Sequence, residues 1–362
     1  MIIKYRNLRF NNKSREKQLI NLFKKFLLSG FYLRSKKSNL IEKKISNFVG
    51  HNYCHLLSSG TNAIYLALKA LGIKKGDEVI CPIISWVATA NAISILGAKP
   101  IFIDVKIDQN INVDLVEKKI SSRTKAIIAV HFKGIICDVI RLKRISKKHK
   151  IFLVEDVAQA FGSEIVGKKA GSFGDISCYS FNPMKVLKSF GELGAITTNN
   201  KKFYKKIESL QYLGTVNKEI CVDVDLNSKS DELHAYLISN SLKYLKKDIH
   251  LRKKIISNYK KYLPDSVINK EYDMELSNGY DYQIIVSKRD KLIKYLKQKK
   301  IETRIKHPLI LNDHPAHFTK ENFKVGKFIK NHSLSMPIHD GIRLKEIKYI
   351  SSAIKKFYDK KI

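Results

Sequence analysis

The chain of 362 residues carries a formal net charge of +35, and 44% of its residues are hydrophobic. This length fits two or three structural units, and no apolar run reaches the roughly 20 residues needed to span a bilayer. The lysines are spread along the chain without a basic tail or zinc-finger spacing, so the charge does not predict a specific nucleic-acid partner.

The cysteines and the N-terminus indicate the compartment. The five cysteines are scattered without a CxxC motif, and several lie in apolar runs, where a buried free thiol is expected. Residues 1–6 lack the basic start and apolar core of a secretory signal. We therefore expect a cytoplasmic protein, and we predict no metal site.

The beginning of the chain predicts helices. Residues 1–30 read as a polar start followed by an amphipathic helix around Lys17–Leu28. A second helix is expected over residues 39–48, and it ends near Gly50.

From residue 50 to residue 200 the chain alternates between strand-like and helical patterns. The apolar strand-like runs are Val79–Cys81, Pro100–Val105, Ala126–Phe132, Ile151–Val154 and Ile176–Phe181. The helical patterns between them are Asn62–Leu71, Val87–Leu96, Val113–Ile120 and Val139–His149. This alternation predicts an α/β fold with a mostly parallel sheet that is covered by helices on both faces.

The pattern changes after residue 200. A long helix is predicted over Asp231–Tyr262, and it stops just before Pro264. A strand at Tyr282–Val286, a helix at Arg289–Lys299 and a closing helix at Leu344–Tyr358 follow. We place the domain change inside the long helix, which gives an N-terminal segment (1–30), a large α/β domain (31–245) and a smaller α+β domain (246–362).

The segment Ser58–Ala63 follows a short apolar run and opens a helix. Small residues at a helix start leave backbone N–H groups free for an anion such as a phosphate, and the hydroxyls of Ser59 and Thr61 add hydrogen bonds. An ordinary helix cap explains the same residues. Both interpretations stay open from these residues alone.

Trp86, the only tryptophan, stands at a predicted helix start just after a strand. Its ring face can stack on a flat cofactor ring, although core packing is the interpretation that this residue favours when it is taken alone.

Asp156 follows the strand-like run that begins at Ile151. Ligands of open α/β sheets lie beyond the carboxyl ends of the strands, and a carboxylate there can pair with the ring nitrogen of pyridoxal phosphate. Gln159 is then placed to bind the ring hydroxyl. The alternative is that Asp156 caps the next helix and that Glu155 is exposed.

Lys185 lies in a loop after the strand-like run Ile176–Phe181, one run downstream of Asp156. Pyridoxal phosphate chemistry needs a lysine amine near the cofactor aldehyde, and desolvation activates such an amine. Lys188 is close by, so position alone leaves both lysines as candidates.

An ordered series of segments resembles the DegT/DnrJ/StrS family of pyridoxal-phosphate-dependent sugar aminotransferases. These segments are Ser58–Ala63, Gly76–Ile80, Ala88–Ile93, Gly97–Pro100, Glu155–Ala160, Gly171–Asp175, Gly191–Ala195, Asn227–Leu233, Ile301–Arg304 and Leu334–Pro337. The resemblance implies an aspartate-aminotransferase-like (type I) fold, with a large mostly parallel-sheet domain and a smaller α+β C-terminal domain.

The resemblance also implies residue roles. It selects Lys185 over Lys188 as the lysine that forms the Schiff base, and it assigns Asp156 to the ring nitrogen, Gln159 to the ring hydroxyl and Trp86 to ring stacking. The residues that it implies around the phosphate and the rest of the cofactor are Ser59, Gly60, Thr61, Ser180 and Asn182.

Asn227 matches an asparagine that reaches the phosphate from the neighbouring subunit, which implies a homodimer with shared active sites. His307 and Arg304 are candidates for the substrate side, although a surface position explains His307 equally well. His131 is expected to be a core residue whose hydrogen bonds are satisfied.

The activity that the resemblance implies is a ping-pong transamination. L-glutamate donates the amino group and leaves as 2-oxoglutarate, and pyridoxamine phosphate then aminates a keto sugar that is nucleotide-linked. The product is an amino sugar for a surface polysaccharide or glycoconjugate. The alternatives are a sugar dehydratase of the same family and a non-catalytic regulatory relative.

Overall fold

The computed structural model describes residues 2–9, 12–217, 219–267 and 271–359. Met1, Phe10 and Asn11 of the predicted N-terminal segment therefore lie outside the described residues, as do 268–270 and 360–362 of the predicted C-terminal domain. Within the described ranges, no helix is both long enough and apolar enough to cross a bilayer.

The bounds of the elements follow the predicted alternation closely. The α-helices of the described residues are α1 Lys13–Ser29, α2 Lys36–Val49, α3 Gly60–Ala70, α4 Val87–Ile95, α5 Val139–Lys148, α6 Lys201–Leu210, α7 Glu232–Tyr262, α8 Arg289–Gln298, α9 Lys324–His332 and α10 Leu344–Asp359. The strands are β1 Tyr53–Leu57, β2 Glu78–Pro82, β3 Lys99–Ile103, β4 Thr124–Val130, β5 Phe152–Asp156, β6 Glu164–Ile165, β7 Lys168–Lys169, β8 Ile176–Ser180, β9 Gly194–Thr198, β10 Thr215–Val216, β11 Ile220–Cys221, β12 Gln283–Ile285 and β13 Ser333–Ser335.

Seven of these strands form the central sheet, in the order β1-β9-β8-β5-β4-β2-β3. The pairs from β8 to β3 are parallel, and β9 runs antiparallel to both of its neighbours. The predicted α/β class with a mostly parallel sheet is confirmed.

Both faces of the sheet are buried, as is usual for parallel strands covered by helices. In β4, Ile127 and Ala129 belong to one core cluster, while Ala126 and Ile128 belong to the other. The strand therefore consists almost entirely of apolar residues instead of alternating between polar and apolar ones.

A third core cluster lies in the C-terminal part of the chain and joins α7, α8, α10 and the β12–β13 pair. Along α7, Leu245 packs in a cluster of the central sheet, whereas Ile255 and Tyr259 pack in this third cluster. The boundary that we propose near residue 245 lies a few residues before this change, since Ile249 still packs against the cluster of the central sheet and Leu251 packs against the third cluster.

One predicted helix is wrong. Residues 113–120 form two short 3-10 turns, Val113–Leu115 and Glu117–Lys119, in place of an α-helix. Val113 and Val116 are buried three residues apart, a spacing that a 3-10 turn aligns on one side. The sequence interpretation also missed β9 and α6.

Candidate active site

A cavity of about 520 Å³ lies where the carboxyl ends of β5 and β8 meet the beginnings of α3 and α4. This is the region in which open α/β sheets bind ligands. All of the predicted site residues except Asn227 line it. They are Ser59, Gly60, Thr61, Trp86, Asp156, Gln159, Ser180, Asn182, Lys185, Arg304 and His307.

The first turn of α3 forms a cradle beside Ser180. Ser59 caps the helix, since its hydroxyl accepts a hydrogen bond from the backbone N–H of Asn62 at 3.1 Å. At Gly60 an added Cβ would lie 2.6 Å from the Cβ of Ser180, so the close approach of α3 to β8 requires glycine. Asn62 and Ala63 donate their N–H groups to Ser59, which leaves those of Gly60 and Thr61 to an anion. The capping and phosphate-binding interpretations are therefore compatible.

Asp156 ends β5 and is only 5% exposed. The backbone N–H of Ala158 donates to its Oδ1 at 3.0 Å, and the hydroxyl of Thr89 donates to its Oδ2 at 3.3 Å. Burial raises the pKa of Asp156 above its ordinary value, against the opposing effects of these hydrogen bonds and of Lys185. A buried carboxylate of this kind is suited to a cationic partner.

Gln159 is oriented by the chain segment that follows β4. The backbone N–H of Lys133 donates to its Oε1 at 2.8 Å, and the left-handed backbone of Lys133 (φ 58°) directs that N–H. The amide NH₂ of Gln159 is therefore the group that can donate into the cavity.

Lys185 and Lys188, which position alone could not separate, have different surroundings. Lys185 lines the cavity, with its Nζ 5.3 Å from the centroid of the Tyr280 ring. Lys188 is not among the cavity-lining residues, and its Nζ lies 4.0 Å from Oδ2 of Asp340.

Trp86 and His307 form one wall of the cavity. Trp86 is 63% exposed at the start of α4, so the core-packing interpretation is wrong. Its ring centroid lies 6.4 Å from that of His307, which also contacts Phe132. His307 is half-buried, and burial together with the charge of Lys306 lowers its pKa to about 3, which keeps the ring neutral near pH 7.

The alternative interpretation, in which Glu155 is exposed, is wrong, because its side chain is fully buried beneath the site. It bonds Nε2 of His131 at 2.9 Å and accepts hydrogen bonds from the backbone N–H groups of Gly171 (2.8 Å) and Phe173 (2.7 Å). Burial alone would raise the pKa of Glu155, but His131 and the backbone N–H groups of Gly174 and Gly171 outweigh burial and lower it. His131 is the satisfied core residue that the sequence predicts.

Glu155→Gln is expected to lower the free energy of unfolding by about 3 kcal/mol, since the buried N–H groups and His131 lose an ionised partner. Urea denaturation at pH 7 measures this, with the exposed Glu164→Gln as control. Because the pKa of Glu155 is lowered in the folded state, its stabilisation is complete above the ordinary glutamate pKa and fades as the pH falls below it. The difference between the wild type and the variant should therefore shrink in acid, and a constant difference would contradict the ionic role.

Sequence reasoning missed Tyr280 and two cationic residues that lie beside its ring in the cavity. Arg6, Tyr280 and Lys306 line the cavity, and Lys306 Nζ lies 3.7 Å from the centroid of the Tyr280 ring. Burial opposes ionisation of this phenol, but the positive charges of Lys185, Lys306 and Arg6 outweigh burial and lower the pKa of Tyr280 to about 7. The only signal in the sequence was the position of Lys306 next to His307.

Asn227 lies outside the cavity. It is exposed, and it borders a separate open depression of about 1270 Å³ that also includes residues of α2 and β1. Its backbone pairs with Tyr212 at the base of a projecting loop that contains β10 and β11.

Residues 13–355 match the model of the DegT/DnrJ/EryC1/StrS aminotransferase family. The chain belongs to this family. A dTDP-3-amino-3,6-dideoxy-alpha-D-galactopyranose transaminase from Aneurinibacillus thermoaerophilus is 31% identical over 98% of this chain and 99% of its own length. A UDP-2-acetamido-2-deoxy-3-oxo-D-glucuronate aminotransferase from Pseudomonas aeruginosa is 31% identical over 95% of this chain and 97% of its own length. Membership makes the chain a pyridoxal-phosphate-dependent aminotransferase.

The fold matches a solved structure over nearly the whole chain. The crystal structure of NtdA from Bacillus subtilis with the bound cofactor PMP has a TM-score of 0.92 and 25% sequence identity, covering 99% of this chain and 85% of that one. The predicted aspartate-aminotransferase-like architecture is confirmed.

The cavity of this DegT/DnrJ/EryC1/StrS aminotransferase fits pyridoxal phosphate. Gly60 and its neighbours on α3 offer N–H groups to a phosphate, and the buried Asp156 offers a carboxylate to a protonated ring nitrogen. Lys185 supplies a primary amine within the same cavity. These groups match the cofactor's three main recognition features.

Proposed function

We propose that this protein transfers an amino group from L-glutamate to a nucleotide-linked keto sugar and produces an amino sugar for a surface polysaccharide or glycoconjugate. The observation that carries the proposal is that Lys185, Asp156 and the first turn of α3 at Gly60 all line one cavity. The two relatives support the substrate class, because the name of each contains a nucleotide-linked sugar.

When bound, pyridoxal phosphate supplies an aldehyde and an electron-withdrawing ring. In our proposal Lys185 holds the cofactor covalently until the donor displaces it, and its amine then moves a proton from the donor's α-carbon to the cofactor. In the second half-reaction the amino nitrogen replaces the ketone oxygen of the sugar, which would leave as water, and the amine of Lys185 moves a proton in the opposite direction, to the sugar carbon.

The other residues bind and orient. We propose that the carboxylate of Asp156 keeps the ring nitrogen protonated, and that the amide of Gln159 donates to the ring hydroxyl. The α3 cradle and Ser180 bind the phosphate, while Trp86 covers one ring face. Asn182 supports the lysine loop, since its side chain accepts a hydrogen bond from the N–H of Met184 at 3.0 Å.

The two half-reactions test this function. L-glutamate alone should convert the enzyme-bound cofactor to pyridoxamine phosphate, with bleaching of its visible band and one equivalent of 2-oxoglutarate. A panel of nucleotide-linked keto sugars, added to this aminated form, should restore the band with the right acceptor. Sugar deoxygenation without stoichiometric consumption of glutamate would indicate a dehydratase instead.

We also propose a homodimer in which Asn227 completes the partner's site. The loop that leads to Asn227 exposes a group of apolar side chains, as a protein–protein interface does before association. These side chains are Val216, Ile220, Val222, Val224 and Leu226. The depression beside Asn227 has room for a segment of a second copy.

Subunit mixing tests the shared site. Lys185→Ala and Asn227→Ala subunits, each with low activity alone, should regain activity when exchanged into heterodimers, because one of the two sites then has both residues intact. A mixture of Lys185→Ala and Gln159→Ala subunits is the control, since these two residues line the same cavity and no intact site forms. Equal recovery in the two mixtures, or no recovery in either, would contradict the shared site.

A cytoplasmic location is part of the proposal. All five cysteines are free thiols, and four of them are buried, which suits a reducing compartment.

A further inference from the structure

The cavity carries a surplus of positive charge, to which the N-terminal segment and the segment around residue 305 contribute. Four cationic side chains line the cavity against two carboxylates. The cations are Arg6, Lys185, Arg304 and Lys306, and the carboxylates are Asp156 and Glu192. Lys185 and Asp156 already have roles toward the cofactor in our proposal, whereas Arg6, Arg304 and Lys306 have none.

Contacts of the N-terminal segment with the rest of the chain place Arg6 in the cavity wall. Ile3 forms a parallel bridge with Ile301, and the backbone N–H of Tyr5 donates to the Glu302 carboxylate at 3.0 Å. The hydroxyl of Tyr5 donates to Asp281 at 3.3 Å. These contacts fix the backbone just before Arg6, so its guanidinium has a defined position.

The guanidinium group of Arg6 has more N–H donors than its hydrogen bond to Met184 uses. Its Nη1 donates to the carbonyl oxygen of Met184, and its Cζ lies 5.2 Å from the centroid of the Tyr280 ring. An arginine has five N–H donors in a planar arrangement, and a single carbonyl oxygen cannot accept hydrogen bonds from all of them. No other side chain matches the two oxygens of a carboxylate as well as this guanidinium group does.

Lys306 approaches the same ring, with its Nζ 3.7 Å from the centroid. Its side chain is only 14% exposed, and its Nζ lies 3.5 Å from Oδ2 of Asp281. Asp281 also accepts hydrogen bonds from Gln283 and Ser335, so its charge is shared among several donors. The ammonium group of Lys306 therefore keeps attraction for a further anion.

We propose that Arg6 and Lys306 form a carboxylate-binding subsite beside Tyr280, and that Arg6 determines specificity for carboxylate-bearing substrates. The carboxylate belongs either to the donor amino acid or to the acceptor sugar. The inference rests on the proposed function, since it assigns a substrate group to the same cavity.

The test uses full-length holoenzyme with Arg6→Gln, Arg6→Lys and the control Arg9→Gln. Arg9 lies on the same segment, is exposed and does not line the cavity. Gln at position 6 keeps an N–H donor for the Met184 carbonyl but loses the charge. Stopped-flow bleaching with glutamate gives substrate affinity and maximal rate separately, and calorimetry gives the Kd of maleate, a non-reacting dicarboxylate.

Arg6→Gln is expected to weaken glutamate and maleate binding by about 10- to 100-fold with an unchanged maximal rate, because a charge-assisted bidentate contact is lost. Arg6→Lys should have a smaller effect, and Arg9→Gln should match the wild type. In the acceptor half-reaction, a loss confined to keto sugars that carry a carboxylate would identify the acceptor as the source of the group.

Three outcomes would overturn the subsite. Arg6→Gln could match Arg9→Gln in both half-reactions, or it could lower only the maximal rate, which would mean that Arg6 acts through the Met184 carbonyl on Lys185. The Arg6→Gln variant could also bind UDP more weakly and bind maleate with an unchanged Kd, which would make the ligand a diphosphate.

Failure of the proposed function would look different. If no amino donor bleached the visible band of the wild-type enzyme, the proposed function would be contradicted, and the Kd of maleate would still decide whether the subsite exists.

Discussion

Lys185→Ala protein is expected to lose transamination activity by at least about 10²- to 10⁴-fold, the range that a positioned proton-transfer group contributes. The expected loss is larger than for any other single change, because in our proposal the same amine holds the cofactor and moves the proton. Borohydride treatment of the wild type should attach the cofactor irreversibly to the peptide that contains Lys185. The variant should bind the cofactor without this attachment.

Lys188→Ala is the matched control for this prediction. Lys188 follows three residues later in the same loop, but it lies beside Asp340 outside the cavity lining. We expect this variant to keep its borohydride-trapped adduct and its half-reaction rate. A trapped adduct on Lys188 in the Lys185→Ala protein would contradict our assignment of the lysine.

The site residues of the large sheet were predictable because each one follows a recognisable element. Asp156 and Lys185 come after apolar strands, and Gly60 opens a helix after a short apolar run. In parallel sheets these ends meet at one edge, so chain order alone brings such residues together. The choice between Lys185 and Lys188 still needed the family resemblance, since their spacing from the strand is nearly the same.

The substrate side was not predictable in the same way. Arg6 reaches the cavity because Ile3 pairs with Ile301, nearly the whole chain away, and no local pattern encodes this pairing. Tyr280 and Lys306 stood among many similar tyrosines and lysines, and only their packing against each other separates them. Long-range packing of the N-terminal segment against the segment around residue 301 therefore decides which cations line the cavity.

The errors in the predicted secondary structure have local causes. Residues 113–120 have apolar spacing that suits either an α-helix or a 3-10 turn, and the segment is too short for periodicity to separate the two. The strand Gly194–Thr198 was missed because it begins at a glycine and ends in two threonines, which leaves Ala195 and Ile196 as its apolar run. That glycine is required by packing, since a Cβ on Gly194 would lie 2.3 Å from the carbonyl oxygen of Ser59.

Asp156→Asn protein is expected to bind the cofactor but to lose about 10²- to 10³-fold in the rate of both half-reactions. Asparagine has nearly the same shape and keeps an oxygen for the N–H of Ala158, so the fold around β5 should persist. What it lacks is the negative charge that, in our proposal, keeps the ring nitrogen protonated. Single-turnover bleaching by glutamate measures the loss.

A cofactor analogue with C–H in place of the ring nitrogen separates this role from a general disturbance of the cavity. If Asp156 acts through the ring nitrogen, the analogue should slow the wild type about as much as Asp156→Asn does, and it should slow the variant little further, because both changes remove the same interaction. Asp104→Asn is the control, since Asp104 follows the end of β3 but bonds the backbone of Val325 and Gly326 instead of lining the cavity. Fully additive effects of the analogue and Asp156→Asn would show that the carboxylate acts on something other than the ring nitrogen.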